Sequence, residues 1–102
     1  MPVTVVVAFR AKPGRAEELV RWLRDNQPKL PRFEGFLSIV LARDEQDADR
    51  IVEIERWASA AHHRAMVERV AAAGGWDELD ALTEGEPEVS YLAELASLRV
   101  EA

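Results

Sequence analysis

Four segments of this sequence carry the apolar pattern of β-strands. Each is about eight residues long, rich in apolar and β-branched side chains, and too short for a typical buried helix. In the first two segments both the odd and the even positions are mostly apolar, which indicates a sheet that is covered on both faces. We predict strands over residues 3–10, 36–43, 50–57 and 89–96.

Helical signals occupy the stretches between these strands. Apolar residues at positions 16, 19, 20 and 23 follow the helical period, and prolines at 28 and 31 end the predicted helix near Gln27. Ser59 is a suitable N-cap for a second helix that runs to about residue 73, where two glycines interrupt it. A short third helix is expected over residues 76–82.

The order of these elements is that of a ferredoxin-like βαββαβ domain of the α+β class. Such a domain has a four-stranded antiparallel sheet with helices on one face. The 102 residues contain no repeat or linker, so we expect a single domain over residues 1–102. Because the helices cover only one face of an apolar sheet, we expect a homodimer formed through the open sheet face.

Composition and charge narrow the classes of function. The chain has no cysteine, which excludes disulfides, thiolate nucleophiles, sulfur-ligated zinc and iron–sulfur clusters. Its net charge of −6 argues against nucleic acid or an anionic membrane as a partner, and no apolar run is long enough for a membrane span. We expect a cytoplasmic protein. We expect no metal site either, because the neighbouring residues His62 and His63 point about 100° apart on a helix.

Four short segments resemble one known family in order and spacing. They are KPGRAEEL at 12–19, FEGFLS at 33–38, IERWAS at 54–59 and PEVSYL at 87–92. Together they resemble the antibiotic biosynthesis monooxygenase family of dimeric α+β barrels over nearly the whole domain. The resemblance implies a pocket between sheet and helices and, in part of the family, oxygenation of a quinol or anthrone without a cofactor. The haem-degrading branch would require an asparagine in the first strand and a histidine after His63, and both are absent.

The third predicted strand places Glu53, Glu55 and Trp57 on one face. The resemblance implies that this face lines the pocket. It places Glu53 where anthrone oxygenases have an asparagine, and Trp57 where they have a pocket tryptophan. Glu53 is a candidate base, and the alternative is that the two carboxylates form ion pairs. Trp57 is either pocket lining or plain core packing. The arginines expected as partners for such ion pairs are Arg10, Arg43 and Arg56.

Three residues of the second and third helices complete the candidate site. His63 shares a helical stripe with Val67 and Val70, and an unperturbed pKa near 6.5 suits it to proton transfer at neutral pH. The alternative for His63 is a structural hydrogen bond to backbone or to Glu55. Met66 and Trp76 are expected in the pocket wall, and Trp76 is either a lid residue or packing.

These residues and the resemblance favour a cofactor-independent monooxygenase. Its expected substrate is an aromatic quinol, anthrone or polyketide-like phenol, with His63 or Glu53 as base and no cofactor. One alternative is a non-catalytic dimer, stress-related or binding a small ligand. Another is an isomerase or cyclase that uses the same acid and base groups without O₂. Fold alone does not separate these activities.

Overall fold

The computed structural model describes residues 2–100 and shows one antiparallel sheet with helices packed on one face. Along the chain the elements are β1 (Val3–Arg10), α1 (Ala16–Asn26), a 3₁₀ helix (Gln27–Arg32), β2 (Phe36–Arg43), β3 (Arg50–Trp57), α2 (Ala60–Ala72), α3 (Asp77–Leu82) and β4 (Glu88–Ala93). The strands lie in the order β2-β3-β1-β4, and each neighbouring pair is antiparallel. The ferredoxin-like α+β fold predicted from the sequence is confirmed.

The inner sheet face and the helices enclose the core. The alternate residues of β1 point into it and are buried, and they pack against leucines of α1 and α3 and against Met66 of α2. The largest fully buried side chains are Trp57, Leu19, Ile51 and Val5. Burial of each such side chain stabilises the fold by about 1.5 to 3 kcal/mol. Within residues 2–100, no helix combines the length and the apolar character that crossing a membrane requires.

The predicted boundaries differ most from the structure at the end of β4 and in the segment after α1, and the others agree within about one residue. The strand predicted over 89–96 ends at Ala93, which pairs with Val3, the first residue of β1. The chain after α1 continues as a 3₁₀ helix that contains Pro28 and Pro31. Pro28 lies in the first turn, where the missing N–H would have no partner in the helix, whereas Pro31 lies inside the helix near its end.

Close contacts fix the start of α2 over the end of β3. The Ser59 hydroxyl accepts a hydrogen bond from the backbone N–H of His62 at 3.2 Å, which confirms the predicted N-cap. Gly35 packs against the imidazole of His62 so tightly that a Cβ at this position would collide with the ring. Its φ of +87° also favours glycine. The entry into β2 is therefore held against α2.

The outer sheet face, opposite the helices, exposes a row of apolar side chains. Val40 is 58% exposed, Ile54 41% and Leu92 50%. Arg56 and Glu94 form a two-armed ion pair beside this row, with N–O distances of 2.7 and 2.9 Å. An apolar surface of this kind on a small domain marks an interaction site.

Candidate active site

A cavity of about 740 Å³ lies between the inner sheet face and the helices. This volume is within the range of about 300 to 1,000 Å³ that is usual for pockets that bind small molecules. Its wall is mostly apolar and includes Val7 and Phe9 of β1 together with side chains of the helices. Five of the six residues predicted for the site line the cavity: Glu53, Glu55, His63, Met66 and Trp76.

Glu53 supplies an unpaired carboxyl group to the cavity. It sits on β3 between Val7 and Leu41 of the neighbouring strands, so its surroundings are apolar. Among residues 2–100, no hydrogen bond or ion pair engages its side chain, which is half-buried and reaches the cavity surface. Burial, and secondarily the charge of Glu55, raises its pKa from 4.5 to about 8. Glu53 therefore holds a proton at neutral pH and accepts one readily once it is ionised.

Glu55 is more deeply buried than Glu53 and has a fixed partner. The indole N–H of Trp57 donates to its Oε1 at 2.8 Å. Burial raises the pKa of Glu55, and the hydrogen bond from Trp57 opposes that change. Trp57 itself is fully buried and lies behind Glu55, in edge contact with Phe36, rather than in the cavity wall.

The arginines considered as partners for these carboxylates are engaged elsewhere. Each forms its ion pair with a different acidic residue, at the strand ends or on the outer face. These three arginines therefore do not pair with the cavity carboxyl groups, whose pKa values are raised by burial. The observed pairs are Arg10 with Asp47, Arg43 with Glu17, and Arg56 with Glu94.

His63 is buried in the first turn of α2 and faces two oxygen atoms. Its Nδ1 lies 2.9 Å from the hydroxyl of Tyr91, and its Nε2 lies 4.0 Å from Oε1 of Glu55. Burial, and secondarily the charge of Arg64, lowers its pKa from 6.5 to about 4. The ring is therefore neutral at physiological pH. The 4.0 Å distance to Glu55 is too long for a direct hydrogen bond.

Tyr91 is the residue of this cluster that the sequence analysis missed. It lies on β4 opposite Val5, and Val5 lies opposite Glu55, so the three residues form one row across the sheet. The guanidinium of Arg64 stands 4.6 Å above the Tyr91 ring. The alternation of side chains along β4 places Val89 and Tyr91 on the inner face. This pattern could have identified Tyr91 as a candidate site residue.

Trp76 and Met66 form part of the helical wall. The Trp76 indole N–H donates to the backbone oxygen of Val67 at 3.0 Å, and its ring lies 6.4 Å from that of Trp22. Trp76 is thus anchored between α2 and α3 instead of resting on the surface. Met66 is buried beside it and faces the same space.

At neutral pH this arrangement combines a protonated carboxyl group with a neutral imidazole. A carboxylate with a pKa of about 8 is a far stronger base than an imidazole with a pKa of about 4. At pH 7 about one Glu53 in ten is ionised. The mostly apolar wall around it suits an aromatic ligand.

The family of the chain follows from its sequence. The model of the family described as antibiotic biosynthesis monooxygenase matches residues 2–72. The chain belongs to this family. A search of curated proteins found no match.

Solved structures share the fold over almost their whole length. A protein from Bordetella bronchiseptica superposes with a TM-score of 0.82 at 17% identity, covering 93% of this chain and 98% of its own. PA3566 from Pseudomonas aeruginosa superposes with a TM-score of 0.72 at 27% identity, covering 93% of this chain and 95% of its own. SnoaB from Streptomyces nogalater, a cofactor-independent oxygenase, superposes with a TM-score of 0.78 at 21% identity. The superposition covers 95% of this chain and 96% of SnoaB. At such identities the likeness shows the fold, and the chemistry has to be argued from the site.

Proposed function

We propose that this protein is a cofactor-independent monooxygenase that oxidises an aromatic quinol, anthrone or polyketide-like phenol in the inner cavity. The observation that carries the proposal is the unpaired carboxyl group of Glu53 in an apolar cavity of about 740 Å³. A cavity that only binds an apolar ligand has no need of a half-buried carboxyl group without a partner and with a raised pKa. Membership of the family and the fold shared with SnoaB support the proposal.

In the proposed reaction Glu53 is the base. Its carboxylate takes a proton from the substrate, and the electron pair stays on the substrate ring system. The resulting anion transfers one electron to O₂, and the two radicals combine into a carbon-bound peroxide. Glu53 returns its proton to the peroxide and then takes the remaining hydrogen of the same carbon as a proton while the O–O bond breaks. The carbon becomes a carbonyl group, and the departing hydroxide takes this proton from Glu53 and leaves as water. One O₂ is consumed for each substrate.

Oxygen uptake with a panel of hydroquinones and anthrones tests this proposal. We expect one O₂ consumed per product, without release of hydrogen peroxide, and a loss of about 100-fold to 10,000-fold in kcat for Glu53→Gln. Glu45→Gln makes the same chemical change in the exposed β2–β3 turn and serves as the control. Ligand binding without turnover would identify a binding protein. Turnover without O₂ would identify an isomerase or cyclase. Either result would overturn the proposal.

The outer sheet face is the proposed site of homodimer formation. Its exposed row of Val40, Ile54 and Leu92 lies on the face that the helices leave open. A second copy of the same face would bury these side chains by twofold symmetry. Beyond β4, Leu95 and Leu98 are more than 90% exposed and add apolar surface for such a contact. The cavity lies on the other side of the sheet, so dimer formation leaves it open to substrate.

A further inference from the structure

The imidazole of His63 is held between two different oxygen atoms, one at each nitrogen. On one side, the hydroxyl of Tyr91 lies within hydrogen-bond distance of Nδ1, at 2.9 Å. On the other side, Oε1 of Glu55 faces Nε2 across 4.0 Å. Because the ring is neutral at physiological pH, only one of its two nitrogens carries hydrogen. The position of this hydrogen decides whether His63 accepts or donates a proton in the cavity.

Glu55 and Tyr91 together favour a hydrogen on Nε2. An indole N–H can only donate, and the N–H of Trp57 donates to Oε1 of Glu55 at 2.8 Å. Oε1 is therefore an accepting oxygen that presents lone pairs to its surroundings. A lone pair on Nε2 would be repelled by this oxygen, whereas an N–H at Nε2 would be attracted. This arrangement favours a hydrogen on Nε2 and a lone pair on Nδ1, which can accept a hydrogen bond from the hydroxyl of Tyr91.

We propose that Tyr91 is a positioning residue that holds His63 as its neutral Nε2–H tautomer, so that His63 donates a hydrogen bond to the substrate oxygen and does not act as the base. The 4.0 Å gap to Glu55 leaves this N–H without a close partner, and His63 lines the cavity. The inference rests on the proposed oxygenase function for its catalytic part only.

The donor role matches the charge that develops during proton abstraction. As Glu53 removes the proton, the electron pair is delocalised onto the substrate oxygen, which becomes a strong acceptor. A neutral imidazole N–H, fixed in place before the reaction, stabilises such an oxyanion. The groups that face the ring are Glu55 of β3, Tyr91 of β4 and Arg64 of α2. The burial of the ring, and secondarily the charge of Arg64, lowers the pKa of His63 and keeps the imidazole neutral.

Nitrogen NMR of the histidine rings tests the tautomer without any substrate. In the native protein at pH 7 we expect His63 to show a protonated Nε2 and an unprotonated Nδ1. Tyr91→Phe keeps the ring and its contact with Arg64 but removes the hydroxyl, so we expect the Nδ1 signal to move and both tautomers to be populated. The signal of His62, whose Nδ1 bonds to Ser59 at 2.7 Å, stays in place. A protonated Nδ1 in the native protein, or an unchanged His63 spectrum in Tyr91→Phe, would overturn the inference.

Kinetics of two His63 variants test the donor role. His63→Gln removes the titratable group but keeps an N–H donor. His63→Ala removes both the titratable group and the donor. A donor role predicts a kcat loss of about 100-fold to 1,000-fold for His63→Ala and partial recovery in His63→Gln. If His63 is the base, both variants lose activity equally. Activity that survives Glu53→Gln would contradict the proposed function, and the NMR result would still decide the tautomer.

Discussion

The pH dependence of folding stability tests the buried state of Glu53 most fully. Its pKa is about 8 in the folded protein against 4.5 as the ordinary value, so between these pH values the folded state binds more protons than the unfolded state. The stability that Glu53 contributes is complete below pH 4.5 and is lost as the pH rises through 8. At about 1.4 kcal/mol per pH unit, the whole loss is at most about 5 kcal/mol.

His63 changes stability in the opposite direction. Its pKa is about 4 in the folded protein against an ordinary 6.5, so the unfolded state binds more protons in this interval. Stability from His63 therefore rises with pH from 4 to 6.5. Between pH 4.5 and 6.5 this gain, about 2 kcal/mol, nearly offsets the loss from Glu53 over the same interval. From pH 6.5 to 8 the loss from Glu53 continues alone and amounts to about 1 to 2 kcal/mol.

Urea unfolding followed by tryptophan fluorescence, at pH values from about 5 to 9, measures this balance. The comparison is between the native chain, Glu53→Gln and the surface control Glu45→Gln. Between pH 6.5 and 8 we expect the free energy of unfolding of Glu53→Gln to rise by about 1 to 2 kcal/mol relative to that of the native chain. The control should show the same pH dependence as the native chain. Comparing variants removes the contribution of Glu55, which all three share. Parallel stability curves for Glu53→Gln and the native chain would show that Glu53 has an ordinary pKa.

Three further predictions concern activity, packing and assembly. Proton abstraction by Glu53 predicts that kcat/KM rises with pH to a plateau above about 8, and a rate independent of pH from 6 to 9 would exclude it as the base. Gly35→Ala is expected to lower the free energy of unfolding by about 1 to 3 kcal/mol more than Gly14→Ala, because a Cβ collides with a neighbour at position 35 and not at position 14. Equal decreases for the two variants in urea unfolding would contradict this. Val40→Asp on the outer face is expected to give a monomer by light scattering, whereas Ala48→Asp in the exposed β2–β3 turn keeps the dimer. A dimer that persists in Val40→Asp would place the interface elsewhere.

The fold could be predicted closely because its signals are local. The strands β1, β2 and β3 lie where apolar runs of eight residues predicted them, and Ser59 caps α2 as expected. The end of β4 could not be predicted in the same way. It depends on where β1 begins on the neighbouring strand, and this information lies 90 residues away in the sequence.

The candidate site was predictable only where a single strand supplied it. The period of two along β3 placed Glu53 and Glu55 together on the inner face, and the structure does so. The contact of His63 with Tyr91 joins residues 28 positions apart, so no local pattern reveals it. The position of Trp57 behind Glu55 also depends on contacts between distant segments, so no local pattern reveals it. Alternation predicts the face of a side chain, but its neighbours in the core decide whether it reaches the cavity.

Carbon NMR of the side-chain carboxyl groups tests the central claim most directly, because it observes Glu53 itself and needs no substrate. In the native protein, titrated from about pH 4 to 10 and assigned with Glu53→Gln, we expect the Glu53 signal to titrate with a midpoint near 8. A midpoint near 4.5 would mean that the carboxyl group is solvated or paired, and the proposed base would then have no physical basis.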